Sequence, residues 1–271
     1  MKIDINGHEF SILWDGIYYK ALSNYPNISD WEMKTLIDFI NYNNEYNRDV
    51  QIESRNNHLL NNINEGLNNP KKFINSIKPT FITECTACKH NGCITNYLCH
   101  IASLSNAKKI FESGMLLSAA KARNDSINHL VQEDRNAAKD PADFFDYIMF
   151  SWGNCQAGDR LVMERELGRA PTEEDLSTGF TPGIRFYFKY NQLVRQPGSK
   201  HDGYHALKIK DKLLLNDNVS VIVIPEQHRK TLEEFIPNEL SDKVIYIKND
   251  CSNIWDWTEK VFNVVSSSKV R

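Results

Sequence analysis

Strand-type patterning crowds into the end of this chain. Residues 183–190 read GIRFYFKY, alternating aromatic and other side chains, and residues 204–209, 219–224 and 243–247 carry the same β-type signal. A single helical pattern, over 226–235, separates the last two, and a second, over 255–265, closes the chain. Strict strand–helix alternation builds a doubly wound parallel sheet, whereas clustered strands do not. The expected class is therefore α+β.

The first eighty residues are punctuated differently. Ile3 and Ile5 alternate with polar residues, Asn6-Gly7 supplies a turn signal, and Phe10, Ile12 and Trp14 resume the alternation, which predicts a hairpin. Ser29-Asp30-Trp31-Glu32 is a capping box followed by the stripe Leu36, Ile37, Ile40. Leu59, Leu60, Ile63 and Leu67 make a second helical stripe. Residues 1–80 are expected to form a mainly helical N-terminal region.

The chain of 271 residues holds one large domain or two small ones. Hydrophobic content of 41% and charged content of 25% suit a globular protein, and a net charge of −3 carries no global nucleic-acid signal. The opening MKIDINGHEF lacks an apolar secretory core, and no apolar run approaches the roughly 20 residues of a membrane span. A cytoplasmic chain with reduced thiols and no membrane partner is expected.

In that compartment clustered cysteines point to metal or catalysis rather than disulfides. Cys85, Cys88, Cys93 and Cys99 follow the spacing C-x2-C-x4-C-x5-C, with His90 able to replace one sulfur. Four thiolates within reach of one another suit zinc or a [4Fe–4S] cluster, and the spacing does not separate the two. Four unrelated thiols is the other reading. Residues 81–99 are thus a candidate metal-binding segment, while Cys155 and Cys251 read as ordinary thiols.

A strand predicted over 94–102 carries Cys99 on one face and His100 on the other. It leads into a helix capped at Ser105, with Ala107, Ile110 and Phe111 as its apolar face and Gly114 at its exit. A lone strand histidine is commonly a core residue; this one stands in the pattern YLCHIASLSNAKKIFESGMLLSA over 97–119.

That stretch resembles the opening motif of ADP-ribosyltransferases of the histidine-containing branch, and most closely the DarT-type nucleic-acid-modifying toxins. FFDYIMFSWGN (144–154) and GIRFYFKYNQLV (183–194) resemble the strands that come next in that family, so the likeness covers residues 97–225. The resemblance implies a split β-sheet core over 97–271, NAD as donor, and a nucleic acid (DNA or RNA) or a protein as acceptor, as in a toxin or phage-defence effector. It implies that His100 bonds the adenosine-side ribose with Ser103 nearby, and that Tyr187 or Phe186 stacks on nicotinamide. The family's glutamate has no direct counterpart: the aligned strand reads HDGYHALKIKD, offering Asp202 and His205, and Glu226 in VIVIPEQ is the nearest glutamate. These three are the candidate catalytic residues.

The stretch SWGNCQAGDR leaves a strand with Asn154, Gln156, Asp159 and Arg160, and Asn154 and Arg160 are candidate phosphate or acceptor contacts. Two other classes stay open. One is a non-catalytic, metal-stabilised binding or sensor module. The other is a metal-dependent nuclease built on Asp202, His205 and Glu226.

Overall fold

The computed structural model describes residues 1–79, 93–123, 141–177 and 180–267. In chain order its strands are β1 (Lys2–Asp4), β2 (Ile12–Trp14), β3 (Ile17–Tyr19), β4 (Gln51–Glu53), β5 (Tyr97–Ala102), β6 (Met115–Leu117), β7 (Tyr147–Trp152), β8 (Ile184–Lys189), β9 (Ser199–Lys200), β10 (Leu207–Lys210), β11 (Lys212–Leu214), β12 (Val219–Pro225) and β13 (Val244–Ile247). The class is α+β, as expected. Two compact units form: Met1–Pro79 with Pro197–Lys208, and Thr80–Gln196 with Ile209–Arg271.

The first unit adds a sheet to the expected helices. It holds a four-stranded sheet in the order β2-β3-β1-β4, with β1 parallel to both β3 and β4. The hairpin joins β2 to β3 and turns at Asp15-Gly16, both at positive φ, rather than at Asn6-Gly7. Two positive-φ residues in a two-residue loop match the right-handed twist of the flanking strands. Helix α1 (Asp30–Glu45) starts at the expected capping box, where the Glu32 carboxylate accepts from the Ser29 N–H at 2.9 Å. It buries Met33, Leu36 and Phe39 against Ile3, Leu13, Tyr18 and, from helix α2 (Asn57–Asn68), Leu59 and Ile63.

The return segment also belongs to this unit, whereas the sequence placed it with residues 97–271. Gly203, at φ +81°, lets the backbone pass close to Phe39 and Tyr18, where a Cβ would come within 3.1–3.2 Å of their rings.

In the second unit, strands run side by side in the order β13-β12-β8-β5-β7. β12 is parallel to β13 and antiparallel to β8; β8 and β7 both pair antiparallel with β5. β5 begins at Tyr97, after a short 3-10 turn over Ile94–Asn96, three residues later than its apolar run suggested. The predicted helix over 226–235 is a series of single turns, Glu226–His228, Arg229–Leu232 and Glu233–Phe235. Among the described residues no helix is long and apolar enough to cross a membrane.

One face of this sheet is covered by the C-terminal helix Ile254–Ser267. Ile254, Trp257, Val261, Phe262 and Val265 fall at three- and four-residue intervals and form its buried stripe. Each such side chain contributes roughly 1.5–3 kcal/mol on burial, an upper figure given a compact unfolded chain. Phe262 also lies where a Cβ on Gly153 would come within 2.5 Å of its ring, so the turn after β7 requires that glycine.

Candidate functional site

His100 sits near the middle of β5, opposite Phe186 of β8 in the register. Strand alternation turns it away from the C-terminal helix, onto the face where Phe111 meets Phe186 at 5.7 Å and Phe150 meets Phe188 at 5.3 Å. Its ring packs edge-on to Phe150 at 6.0 Å, and it remains partly exposed. Nδ1 lies 3.1 Å from the Met149 carbonyl. A carbonyl only accepts, so Nδ1 carries the proton and donates. Burial holds the pKa below its usual value, against the pull of that bond and with the Arg165 charge pushing the same way as burial. The imidazole is therefore neutral, with its lone pair on Nε2 able to accept from a hydroxyl.

The segment after His100 has the expected form. Helix α3 (Leu104–Ser113) ends at Gly114, in the left-handed region at φ 67°, and β6 leaves from there. The cap is Ser103, not Ser105: its hydroxyl accepts from the Asn106 N–H at 3.3 Å and meets the Ser105 hydroxyl at 3.1 Å. Ser103 thus already carries a structural task beside His100.

Tyr187 does not share the His100 face. It is fully buried on the Cys99 side, under the C-terminal helix, and cannot stack on a ligand held by His100. Phe186 is the aromatic neighbour on the His100 side, itself fully buried. Cys99 sits in the same core as Tyr187, Met163 and Val221, and burial pushes its thiol up to about 12. That is the environment of a packed thiol rather than a thiolate ligand. Cys93 is also buried, 3.2 Å from the Thr95 hydroxyl. Cys85, Cys88 and His90 lie outside the described residues, so a metal centre rests on the cysteine spacing alone.

The polar stretch after β7 contributes a different residue from those singled out. Arg160 is exposed on the helix Ala157–Leu167, and Asn154 donates to Glu259 at 3.3 Å. Asp159, between them, is completely buried and forms an ion pair with Arg185 of β8. Asp159 also accepts from the Gly183 N–H at 3.0 Å; Arg185 donates to Thr258 at 2.8 Å and to the Tyr187 hydroxyl at 3.3 Å. Burial, the largest influence, pulls the Arg185 pKa down, but the Asp159 charge together with Tyr187 and Cys99 outweighs it and keeps the guanidinium protonated. Burial pushes the Asp159 carboxyl up against the Arg185 charge. Because a guanidinium does not release its proton, the pair stays ionised.

No protein-family model, curated protein or solved structure matches this chain.

The candidate catalytic residues divide between the units. Asp202 and His205 belong to the first, Glu226 to the second. Asp202 accepts from the N–H groups of Tyr204 (3.0 Å) and His205 (2.8 Å), from His205 Nδ1 (2.9 Å) and from Lys208 (3.2 Å). Burial works to raise its pKa, yet the His205 bonds and the His205 and Lys208 charges hold it well below the carboxylate range. Both carboxylate oxygens are thus occupied. Glu226 is exposed and, among the described residues, pairs with Arg229 at 3.4 Å. Among the described residues no three His, Cys, Asp or Glu side chains group to hold a metal ion.

Sequence reasoning passed over Arg185. The available signal was a charge inside an otherwise apolar run, IRFYF. A buried guanidinium requires a carboxylate, and Asp159 was the one in a stretch already marked as unusually polar.

Proposed function

We propose that this chain transfers ADP-ribose from NAD, with His100 contacting the donor. One observation supports the reading most directly: His100 is held as a neutral Nδ1–H tautomer at the centre of a strand that feeds a serine-capped helix and a left-handed glycine exit. A fixed lone pair on Nε2 suits a ribose hydroxyl. In the reaction the bond from ribose C1′ to nicotinamide breaks, and its electron pair leaves with nicotinamide. An acceptor nucleophile then bonds C1′ and loses a proton. A carboxylate near the ribose stabilises the developing cation, and Glu226 is the proposed residue in this unit. The acceptor is a nucleic acid or a protein. Asp202 and His205 fall in the other unit, and this reading does not use them. The zinc or iron–sulfur expectation enters no step.

The test is nicotinamide release on incubation with NAD, alone and with DNA, RNA or protein acceptors. Replacing His100 with Ala removes hydrogen bonds worth about 1–3 kcal/mol, roughly five- to a hundred-fold in donor affinity. The expected result is that loss with an unchanged circular dichroism spectrum. A His100→Ala variant that consumes NAD like the parent defeats the proposal, as does a parent chain that releases no nicotinamide with any acceptor.

A further inference from the structure

The four-stranded sheet of the first unit has two unlike edges. On the β4 side the outer face is polar and its charges are already paired: Lys2 of β1 with Glu53 of β4, and Asp4 of β1 with His8 at 2.7 Å. The other edge, β2, reads Ile-Leu-Trp. Leu13 is buried in the core, whereas Ile12 is 40% and Trp14 69% exposed. Phe10, two residues ahead of Ile12, is 66% exposed. On β3 the half-buried Tyr19 stands opposite Ile12, and Ile17 opposite Trp14, so the apolar surface continues inward from the edge. Edge strands are ordinarily guarded by charge or proline, and β2 carries neither.

The backbone of this edge is open as well. The loop Asp15-Gly16, with both residues at positive φ, closes on Trp14 and Ile17, and a two-residue loop of this kind closes on a hydrogen-bonded pair. Hydrogen-bonded and non-hydrogen-bonded pairs alternate along an antiparallel ladder, so Leu13 aims its N–H and C=O away from β3. Among the described residues no backbone group from elsewhere in the chain meets them. Acidic side chains bracket the strand. Glu9 lies ahead of it and Asp15 in the turn after it; both are exposed, and neither forms an ion pair among the described residues.

We propose that β2 is a docking edge for an extended segment of another protein, apolar at alternate positions and carrying Lys or Arg at both ends, which adds to this sheet as a further strand. Main-chain bonds to Leu13 set the pairing, and Ile12 and Trp14 pack the alternate side chains. The charges choose among occupants. A second copy related by a two-fold axis pairs antiparallel, which brings the Glu9 end of each copy against the Asp15 end of the other, and like charges oppose pairing. A single-stranded nucleic acid would find a stacking ring in Trp14, but its phosphates would meet carboxylates where such sites place Lys and Arg. A peptide with basic ends meets an opposite charge at each. Three exposed apolar side chains fall far short of the roughly 1,200–2,000 Å² of a stable interface, so the binding is weak and reversible.

The probe is the peptide KVTVTVK, titrated into the full chain while the backbone amide and tryptophan indole resonances are followed. Saturable binding in the micromolar range is expected, with the shifts centred on Leu13 and the Trp14 indole. The peptide EVTVTVE should bind at least fivefold more weakly, and KVTVTVK methylated on both threonine nitrogens, which cannot donate to Leu13, should not saturate. Trp14→Ser should weaken KVTVTVK tenfold or more with an unchanged circular dichroism spectrum, because the side chain it removes is exposed. The proposal fails if KVTVTVK does not saturate below about 5 mM, a limit already weaker than the expected range. It fails equally if EVTVTVE binds as well, if the methylated peptide binds as well, or if Trp14→Ser binds like the parent. Sedimentation showing a dimer of the free chain that Trp14→Ser dissolves would overturn it in favour of a second copy. An oligothymidylate that shifts the same resonances and binds more tightly than KVTVTVK would overturn it in favour of nucleic acid.

Discussion

Arg185 and Lys20 are both buried cations, and the protein treats them oppositely. Arg185 lies in the second unit with Asp159, Thr258 and the Tyr187 hydroxyl around it. Lys20 lies in the first beside an indole ring and, among the described residues, forms no ion pair or hydrogen bond. Burial pulls both pKa values down; the Asp159 charge, with Tyr187 and Cys99 acting the same way, lifts that of Arg185 above its ordinary value, while Lys20 stays depressed, at about 8. A charge paired with a carboxylate and held by directed hydrogen bonds fixes one arrangement of the core, even with the Arg185 Nε left unpartnered. A charge buried without a carboxylate bonded to it is a cost that the rest of the unit carries.

The contrast breaks most visibly at Asp159. Asp159→Ala leaves Arg185 buried and unpaired, and should destabilise the second unit by about 3–5 kcal/mol. Urea unfolding followed by the fluorescence of the tryptophans in that unit measures it. A loss below about 1 kcal/mol would mean the pair is less dry than its burial implies.

Lys20→Met should act in the reverse direction and raise stability. The folded pKa of about 8 lies below the ordinary 10.5, so the unfolded chain holds this proton more tightly. The cost of Lys20 is then fully present below about pH 8, and fades as pH rises toward 10.5, where the unfolded lysine also releases its proton. A gain of about 1–3 kcal/mol near pH 7, vanishing above the upper value, is expected. A destabilised Met variant at pH 7 would show that Lys20 has a counter-charge after all.

The smallest effect belongs to a polar group that is satisfied locally and at the surface. Ser103→Ala should cost about 0.5–1 kcal/mol through loss of the α3 cap, and Ser103→Asp should recover it. Thermal melts of the two variants give the comparison. If Asp fails to restore stability, the 3.3 Å bond to Asn106 is not the reason for the serine.

Legibility in the sequence was local. Ser29 to Glu32 marks a helix start, Gly114 a helix exit, and residues 255–265 a closing helix, because each signal spans at most a few turns. The features that could not be read depend on distant partners. The parallel pairing of β1 with β4 joins residues about fifty apart, and nothing in the short run KID announces it. The resemblance offers Tyr187 or Phe186 to the nicotinamide alike, and only the register, which sets Tyr187 opposite Cys99 and Phe186 opposite His100, tells them apart. Asp159 and Thr258, 26 and 73 residues from Arg185, carry no sequence mark of belonging together.

The excursion of Pro197–Lys208 has a practical consequence for anyone cutting the gene. The first unit is written in two pieces, so no single stop codon or new start codon isolates either unit intact. A fragment ending near residue 79 would keep Lys20 and Tyr18 but lack His201, Asp202 and Lys208. The reciprocal fragment would carry a twelve-residue excursion with no partner to receive it. A deletion map of this protein would report loss at both ends. It would be misread as a requirement for every residue in between, when the element being interrupted is one thread that passes through the same body twice.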